Sequence, residues 1–299
     1  MGYIIENANI LKDTQLTKCS LMIKDNAIAS RDICSRRLQV MKMNAENYIM
    51  TPAFVQFDSK IPLQKSFHEL KSYIINQFLL KGSTTLLYYA EVTVESELNK
   101  KIKEIKTALI SSPIDFVIGV KITPQLLTPS FIRKCKKEKT PAIFVTISDV
   151  RELDSVPWGW IKEALFPYNC PLIPTISNDN KKEEKKSLSK WKEVMEKEKI
   201  PALLEEIPEG QPLSSTVLNK LGIYPDKSSL LHGTELSYNL FNKSREINIV
   251  DEVSLFHYHC DRLIVTVHKG KVIRAGEKVI YKPGYGEYVR VRTPSYFSL

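Results

Sequence analysis

The chain has 299 residues, 43% of them hydrophobic, enough to bury a full core as one large domain or two smaller ones, which excludes a disordered protein. Its formal charge of +9 comes from lysines spread along the chain, without the basic clusters, stacking aromatics or reading module of a nucleic-acid binder, so no nucleic-acid partner is expected. The opening MGYIIENANI has no basic stretch followed by an apolar one and no run approaches a membrane span of ~20 apolar residues, while Cys19, Cys34, Cys135, Cys170 and Cys260 form no CxxC pair; together these point to a cytoplasmic protein in a reducing compartment, with no membrane association.

In chain order, residues 3 to 50 hold short apolar strands (YIIENANIL, CSLMIKDNAIA, LQVMKM) separated by polar turns, a β pattern without a helix. The rhythm changes at residue 51. Strand TPAFVQFD is followed by helix SFHELKSYIINQFLL, strand STTLLYYA, helix ESELNKKIKEIKTALI, strand DFVIGVKIT, helix TPSFIRKCKKEK and strand AIFVTISD. This is the βα alternation of a parallel sheet or barrel. Helix VPWGWIKEALF, strand PLIPTIS, a charged helix over 185–199 and helix PLSSTVLNKLG complete the block. Within KKEEKKSLSKWKEVMEKEK, Leu188, Trp191, Val194 and Met195 mark one helical face, so that charge-rich run reads as a solvated amphipathic helix. From about residue 222 short strands return (SYNLF, INIV, RLIVTVHKGKVI, EKVIYK), and the two β-rich ends are expected to pair into one sheet domain.

Several collinear stretches carry a family resemblance. YIMTPAFVQFDSK follows the track of P-G-F-[IV]-D-x-H-x-H, KGSTTLLYY that of a G-[VG]-T-T strand, and PLIPTISNDNKKEEKK that of a last barrel strand ending T-D-H-A-P-H before an E-E-K run. GIYPDKSSLLHGTELSYNLFN follows G-[LI]-x-P-x-K-G-x-[IL]-x-x-G-x-D-A-D, and LIVTVHKGKVI, with GYGEY beyond it, follows the closing strands and a terminal G-x-G-x-[FY]. On these residues the sequence resembles the cyclic amidohydrolases, most closely the dihydroorotase and hydantoinase branch. The resemblance implies a metal-dependent (β/α)₈ barrel with a flanking β-sandwich made from both chain ends.

Carried over residue by residue, the metal chemistry fails. The two histidines of the first-strand motif fall at Asp58 and Lys60, and a protonated lysine offers no lone pair to a cation. The aspartate of the last-strand motif falls at Ile176, and its neighbouring histidine at Ser177, so no proton acceptor stands there. Two registers remain open in the middle of the barrel. One aligns DFVIGVKIT with the third strand and AIFVTISD with the fourth, making Asp149 a residual acid; the other puts Lys121 where the family carries a carboxylated lysine. In either, only about 20 residues separate AIFVTISD from PLIPTIS, too few for three more strand and helix units, so a truncated or incomplete barrel is expected.

The five histidines are His68, His232, His257, His259 and His268. FHYHC reads as a strand that would set His257 and His259 on one face, but in the region resembling the sandwich; His68 opens a helix and His232 sits in a turn. No GxSxG elbow, HExxH, P-loop or dinucleotide fingerprint is present, Glu205 and Glu206 read as a solvated pair, and GYGEY reads as a turn.

The reading is therefore an α/β protein: a shortened β/α barrel over 51–221 and a composite β-sandwich over 1–50 and 222–299. The expected function is non-catalytic binding, regulation or assembly, with no cofactor. The alternative is a hydrolase of a cyclic amide or other C–N bond, with a rebuilt site of Asp58, Lys60 and Asp149 and zinc or another divalent metal. Removing strands from a barrel opens sheet edges, which predicts a homodimer, and a protein partner is a further expectation. Asp58 and Lys60 are expected to pair with each other more readily than to hold a metal.

Overall fold

The computed structural model describes residues 2–32, 39–177, 181–243, 251–292 and 294. Cys34 and the expected strand INIV at 247–250 lie outside them.

The first β-rich stretch forms strands β1 (Gly2–Lys12), β2 (Gln15–Lys24), β3 (Ala27–Arg31), β4 (Met41–Asn44) and β5 (Tyr48–Pro52). The closing stretch gives β11 (Tyr238–Asn242), helix α7 (Glu252–Tyr258), β12 (Leu263–His268), β13 (Lys271–Ala275) and β14 (Lys278–Val279). The two ends join in one sheet of order β14-β13-β12-β11-β5-β1-β2-β3, with β4 beside β1. The junction is the antiparallel ladder of β11 on β5, from Tyr238 opposite Pro52 to Asn242 opposite Tyr48. Alternation of apolar residues along β1, β2, β5 and β11 buries Ile5, Leu21, Ile23, Met50 and Leu240 in the core of this part.

Between the ends, five strands alternate with helices: β6 (Phe54–Phe57), α1 (Phe67–Gln77), β7 (Ser83–Glu91), α2 (Leu98–Ala108), β8 (Asp115–Ile122), α3 (Pro129–Glu138), β9 (Ile143–Ile147), α4 (Trp158–Leu165) and β10 (Leu172–Ile176), followed by α5 (Lys181–Glu198) and α6 (Ser215–Leu221). All five strands are parallel and neighbours in sequence are neighbours in space, in the order β6 to β10. This is a barrel cut short after five strands. Because helices cover the outside and further chain the inside, the strands are buried on both faces and read as continuous apolar runs. Side chains from the outer face, such as Leu86, Ile118, Val145 and Leu172, pack with Ile74, Ile102, Phe131, Ile161 and Trp191 of the helices. Trp191 of α5 is fully buried and donates its indole N–H to Leu203 O at 2.8 Å. The helix starts follow from local sequence: Ser66 and Glu69 form a capping box on α1, and Thr128 accepts from Phe131 N–H with Pro129 as the first residue of α3. Thr128→Ala is expected to lower stability by about 1 kcal/mol, measured by urea unfolding at a fixed m-value.

The open ring is closed by a strap, residues 201–213. At one edge Leu172 N–H donates to Pro201 O and Leu203 N–H to Leu172 O, both at 2.9 Å. At the other, Gly210 N–H donates to Phe57 O at 3.0 Å and Leu213 N–H to Val55 O at 2.9 Å. The strap thus takes hydrogen-bonding groups on β10 and on β6, and its Leu203, Ile207 and Leu213 fill the inside of the sheet against Val55, Phe57, Val117 and Ile173. The edges that the sequence reading left open are occupied by the chain itself.

Two local expectations differ from the structure. FHYHC is not a strand: Asp251 caps Ser254 N–H at 2.6 Å and starts helix α7, so His257 lies on a helix beside Gln211, with His259 just beyond its end. GYGEY is a turn only at its first glycine, Gly284, which has φ +70. Beyond it the chain returns to the barrel: Gly286 N–H donates to Ser112 O, Phe116 N–H to Glu287 O and Val289 N–H to Phe116 O, each at 2.9 Å, and Val291 is buried inside the sheet.

Candidate functional site

In a parallel β/α sheet, a site is expected beyond the carboxyl ends of the strands. Here that mouth is filled with rings. Phe57 at the end of β6 stacks on Phe144 of β9 with centroids 5.1 Å apart and planes 17° apart, and Tyr89 of β7 contacts both, at 5.7 and 5.2 Å. Strand register brings these residues together, since alternate positions of neighbouring strands face the same side. A cavity of only about 170 Å³ remains, bounded by these three rings, Pro174, Thr175 and the strap residues Glu206, Ile207 and Glu209.

Each residue named from the sequence has a partner around this mouth. Asp58 is buried and accepts from the Tyr73 hydroxyl at 2.7 Å and from Lys60 N–H at 2.8 Å. The Tyr73 phenol is correspondingly raised well above its usual value, first by burial and then by the Asp58 carboxylate. Lys60 does not give its ammonium to Asp58 as expected; its side chain is 79% exposed and its Nζ pairs with Glu209 at 3.3 Å, because the strap brings that acid across the mouth. Lys121, at the end of β8, pairs with Glu91 at 3.2 Å and lies over the Tyr89 ring; burial lowers its pKa, but Tyr89 and Glu91 outweigh that and raise it. A lysine held in its charged form is unsuited to carboxylation. Asp149 caps the short helix after β9, accepting from Arg151 N–H at 2.9 Å and pairing with the Arg151 side chain at 3.2 Å. Ile176 ends β10 and gives its N–H to Glu206, whose carboxyl burial pushes up. Asp58, Lys60 and Asp149 are thus held by different local partners rather than converging on one point.

The donor set does not fit the metal that the sequence resemblance implies. Asp58 brings one carboxylate, already accepting two hydrogen bonds; Lys60 repels a cation, and Ile176 offers nothing. No catalytic step through a metal is derived from it.

A second charged group was not singled out in the sequence. Asp115, fully buried at the start of β8, meets Lys269 at 2.7 Å, Lys227 at 2.5 Å, His268 Nε2 at 3.7 Å and the Glu287 N–H at 2.8 Å. Lys227 also bridges to Glu235, and Lys269 to Glu287 at 3.2 Å. Asp115, Glu235 and His268 form the one trio among the described residues close enough to share a metal ion, within 4.8 Å, but two ammonium groups already supply the positive charge there. The cluster ties the base of the barrel to the sandwich. Its sequence signal was present in GIYPDKSSLLHGTE and TVHKG, where charged residues interrupt apolar runs.

No protein-family model matches the chain. No curated protein matches it by sequence. Solved structures do. The dihydropyrimidinase of Brevibacillus agri superposes with a TM-score of 0.63 at 10% identity, over 98% of this chain and 99% of that one. The D-hydantoinase of a Bacillus species gives 0.64 at 10% identity over 97% and 99%, and the L-hydantoinase of Arthrobacter aurescens 0.57 at 12% over 96% and 99%. The fold is therefore the one found in hydantoinases and dihydropyrimidinases, with a truncated barrel and a β-sandwich built from both chain ends. Among the described residues no helix is long and apolar enough to cross a membrane.

Proposed function

We propose that this chain is a non-catalytic relative of the cyclic amidohydrolases that serves as a binding, regulatory or assembly protein and holds no metal at the barrel mouth. The observation that carries this reading is the stack of Phe57, Tyr89 and Phe144 in the space where substrate and metal would sit. The rings leave a cavity of about 170 Å³ there, and the acid that follows β6, Asp58, is tied to Tyr73 while Glu209 pairs with Lys60. The experiment is metal analysis of the purified full chain, with hydrolysis assays on hydantoin and dihydrouracil. The expected result is no bound zinc, manganese or iron, no rise in Tm on adding them, and no turnover. Stoichiometric metal, or turnover abolished by Asp58→Asn, would establish the rebuilt hydrolase instead.

A twofold dimer is proposed on grounds other than open edges, since the strap covers those. Trp160 and Phe166, at α4 and its end, are 67% and 70% exposed and offer an apolar contact to a second copy. Sedimentation equilibrium is expected to give a dimer that Trp160→Glu with Phe166→Glu converts to a monomer; a monomeric parent chain refutes it. The cytoplasmic placement is also a proposal, supported by free thiols at Cys19, Cys135, Cys170 and Cys260.

A further inference from the structure

The strap stands between two spaces. On one side is the barrel-mouth cavity of about 170 Å³; on the other, between the strap and the sandwich, is a cavity of about 650 Å³. Glu206 and Ile207 line both, so at these two residues a single thickness of chain forms the wall between them.

The two ends of the strap are anchored through the backbone. Leu172 and Leu203 fix one end to β10, and the Gly210 and Leu213 N–H groups fix the other to Phe57 O and Val55 O of β6. The middle is held differently. Among the described residues, no backbone N–H or carbonyl of residues 204–209 bonds to another backbone group, and Pro208 has no N–H to give. Of these six side chains only Ile207 is buried, at 6% exposure, in the cluster with Phe57, Phe144 and Ile173. The others hold by exposed polar contacts: Glu205 pairs with Lys192 at 3.1 Å, Glu209 with Lys60 at 3.3 Å and with the Ser59 hydroxyl, and Glu206 accepts from Ile176 N–H. Exposed ion pairs add little, because water and salt screen them.

A segment with one buried side chain and no backbone ladder opens more readily than the sheet around it. Gly210 gives it a pivot: its φ is +67, and a Cβ there would meet nothing within 4 Å. The larger cavity gives it space to move into.

We propose that residues 204–209 form a gate that swings about Leu203 and Gly210 into the larger cavity, withdraws Ile207 from the rings and joins the two cavities into one chamber, so that the barrel mouth is reached from the sandwich side. The gate does not depend on whether the mouth is catalytic.

The test is amide hydrogen exchange of the full chain, followed by NMR. Opening breaks the bond from Ile176 N–H to Glu206 and leaves those of the Leu172, Leu203 and Leu213 amides intact. Ile176 N–H is expected to exchange at least about tenfold faster than these three anchor amides. Bridging Ser59→Cys to Glu209→Cys with dibromobimane ties the segment shut, and is expected to slow Ile176 N–H at least about tenfold relative to the same variant unbridged, with the anchor amides unchanged. Ile207→Ala, the second variant, removes the one buried contact and is expected to speed Ile176 N–H at least about tenfold more than it speeds the anchor amides, which report any loss of global stability. Equal protection of Ile176 and the anchor amides in the parent chain, an Ile176 rate unchanged by the bridge, or an Ile176 rate that moves only in step with the anchors in Ile207→Ala each overturns the proposal. Bound metal or turnover would instead overturn the non-catalytic reading and leave these rates as expected.

Discussion

Asp115→Asn is expected to lower the stability of the protein by about 3–5 kcal/mol, a fall in Tm on the order of 10 °C. The carboxylate is fully buried and faces two ammonium groups, Lys227 and Lys269, which are 10% and 18% exposed on their side chains. Replacing it by a neutral amide leaves both cations buried beside a group that cannot compensate them. The loss should depend on pH in a definite direction. Burial alone would raise the Asp115 carboxyl, but His268 and Lys227 outweigh it and hold the group well below the usual carboxylate range. A folded-state pKa below the unfolded value of about 3.9 means the stabilisation is fully present above that value and is lost as pH falls below it. Lys227, raised by Asp115 and Glu235 against the effect of burial, contributes stability that is present below its unfolded pKa of about 10.4 and fades as pH rises through the higher folded value. Thermal melts from pH 2 to pH 7 should therefore show a steep acid limb below about pH 4 in the parent chain and a shallower one in Asp115→Asn. Parallel acid limbs, or a Tm unchanged at pH 7, would show that the cluster does not hold the two parts together.

Gly286→Ala is expected to be the next most damaging single change, at about 3 kcal/mol, because the added methyl has no room. A Cβ at this position would lie 1.9 Å from Ile114 O and 2.3 Å from Ile114 C, which are backbone atoms that cannot rotate away. The tail would have to lift off β8. That would break the bonds from Gly286 N–H to Ser112 O and from Phe116 N–H to Glu287 O, both 2.9 Å, and separate Glu287 N–H from Asp115. Gly284→Ala serves as the comparison, since its Cβ meets nothing nearer than 3.5 Å and it carries only the strain of φ +70. Chemical denaturation should rank Gly286→Ala below Gly284→Ala; the reverse order would mean that the turn, not the close approach, matters.

The two predictions bear on one architectural fact. The truncated barrel is not left to stand alone: the strap closes its sides, and the tail, with the Asp115 cluster, ties its base to the sandwich. Losing strands from a closed sheet exposes hydrogen-bonding groups and apolar surface, and here both are met within one chain.

The strands and helices were legible because each is a local pattern. Runs such as TTLLYYA and FVIGVKI are apolar on successive residues, as strands buried on both faces must be, and caps such as Thr128-Pro129 mark where helices begin. The positions of Asp58, Lys60 and Ile176 beside strand ends were legible for the same reason, since each falls within or next to a short apolar run. The helix at 252–258 was misread although its signal is local: Asp251 and Ser254 form a cap that outweighs the HxH alternation.

The sequence by itself determined the βα order and the composite sheet of both chain ends, because periodicity and short motifs are written residue by residue. Tertiary structure alone decided what those residues do. Phe57, Tyr89 and Phe144 become a stack only through strand register; Lys60 turns to Glu209 only because the strap crosses the mouth; and Asp115 meets Lys227 and Lys269 from segments more than 100 residues away in the chain. Contacts between distant segments leave no periodic trace, since their energy is set by the geometry that the whole core imposes.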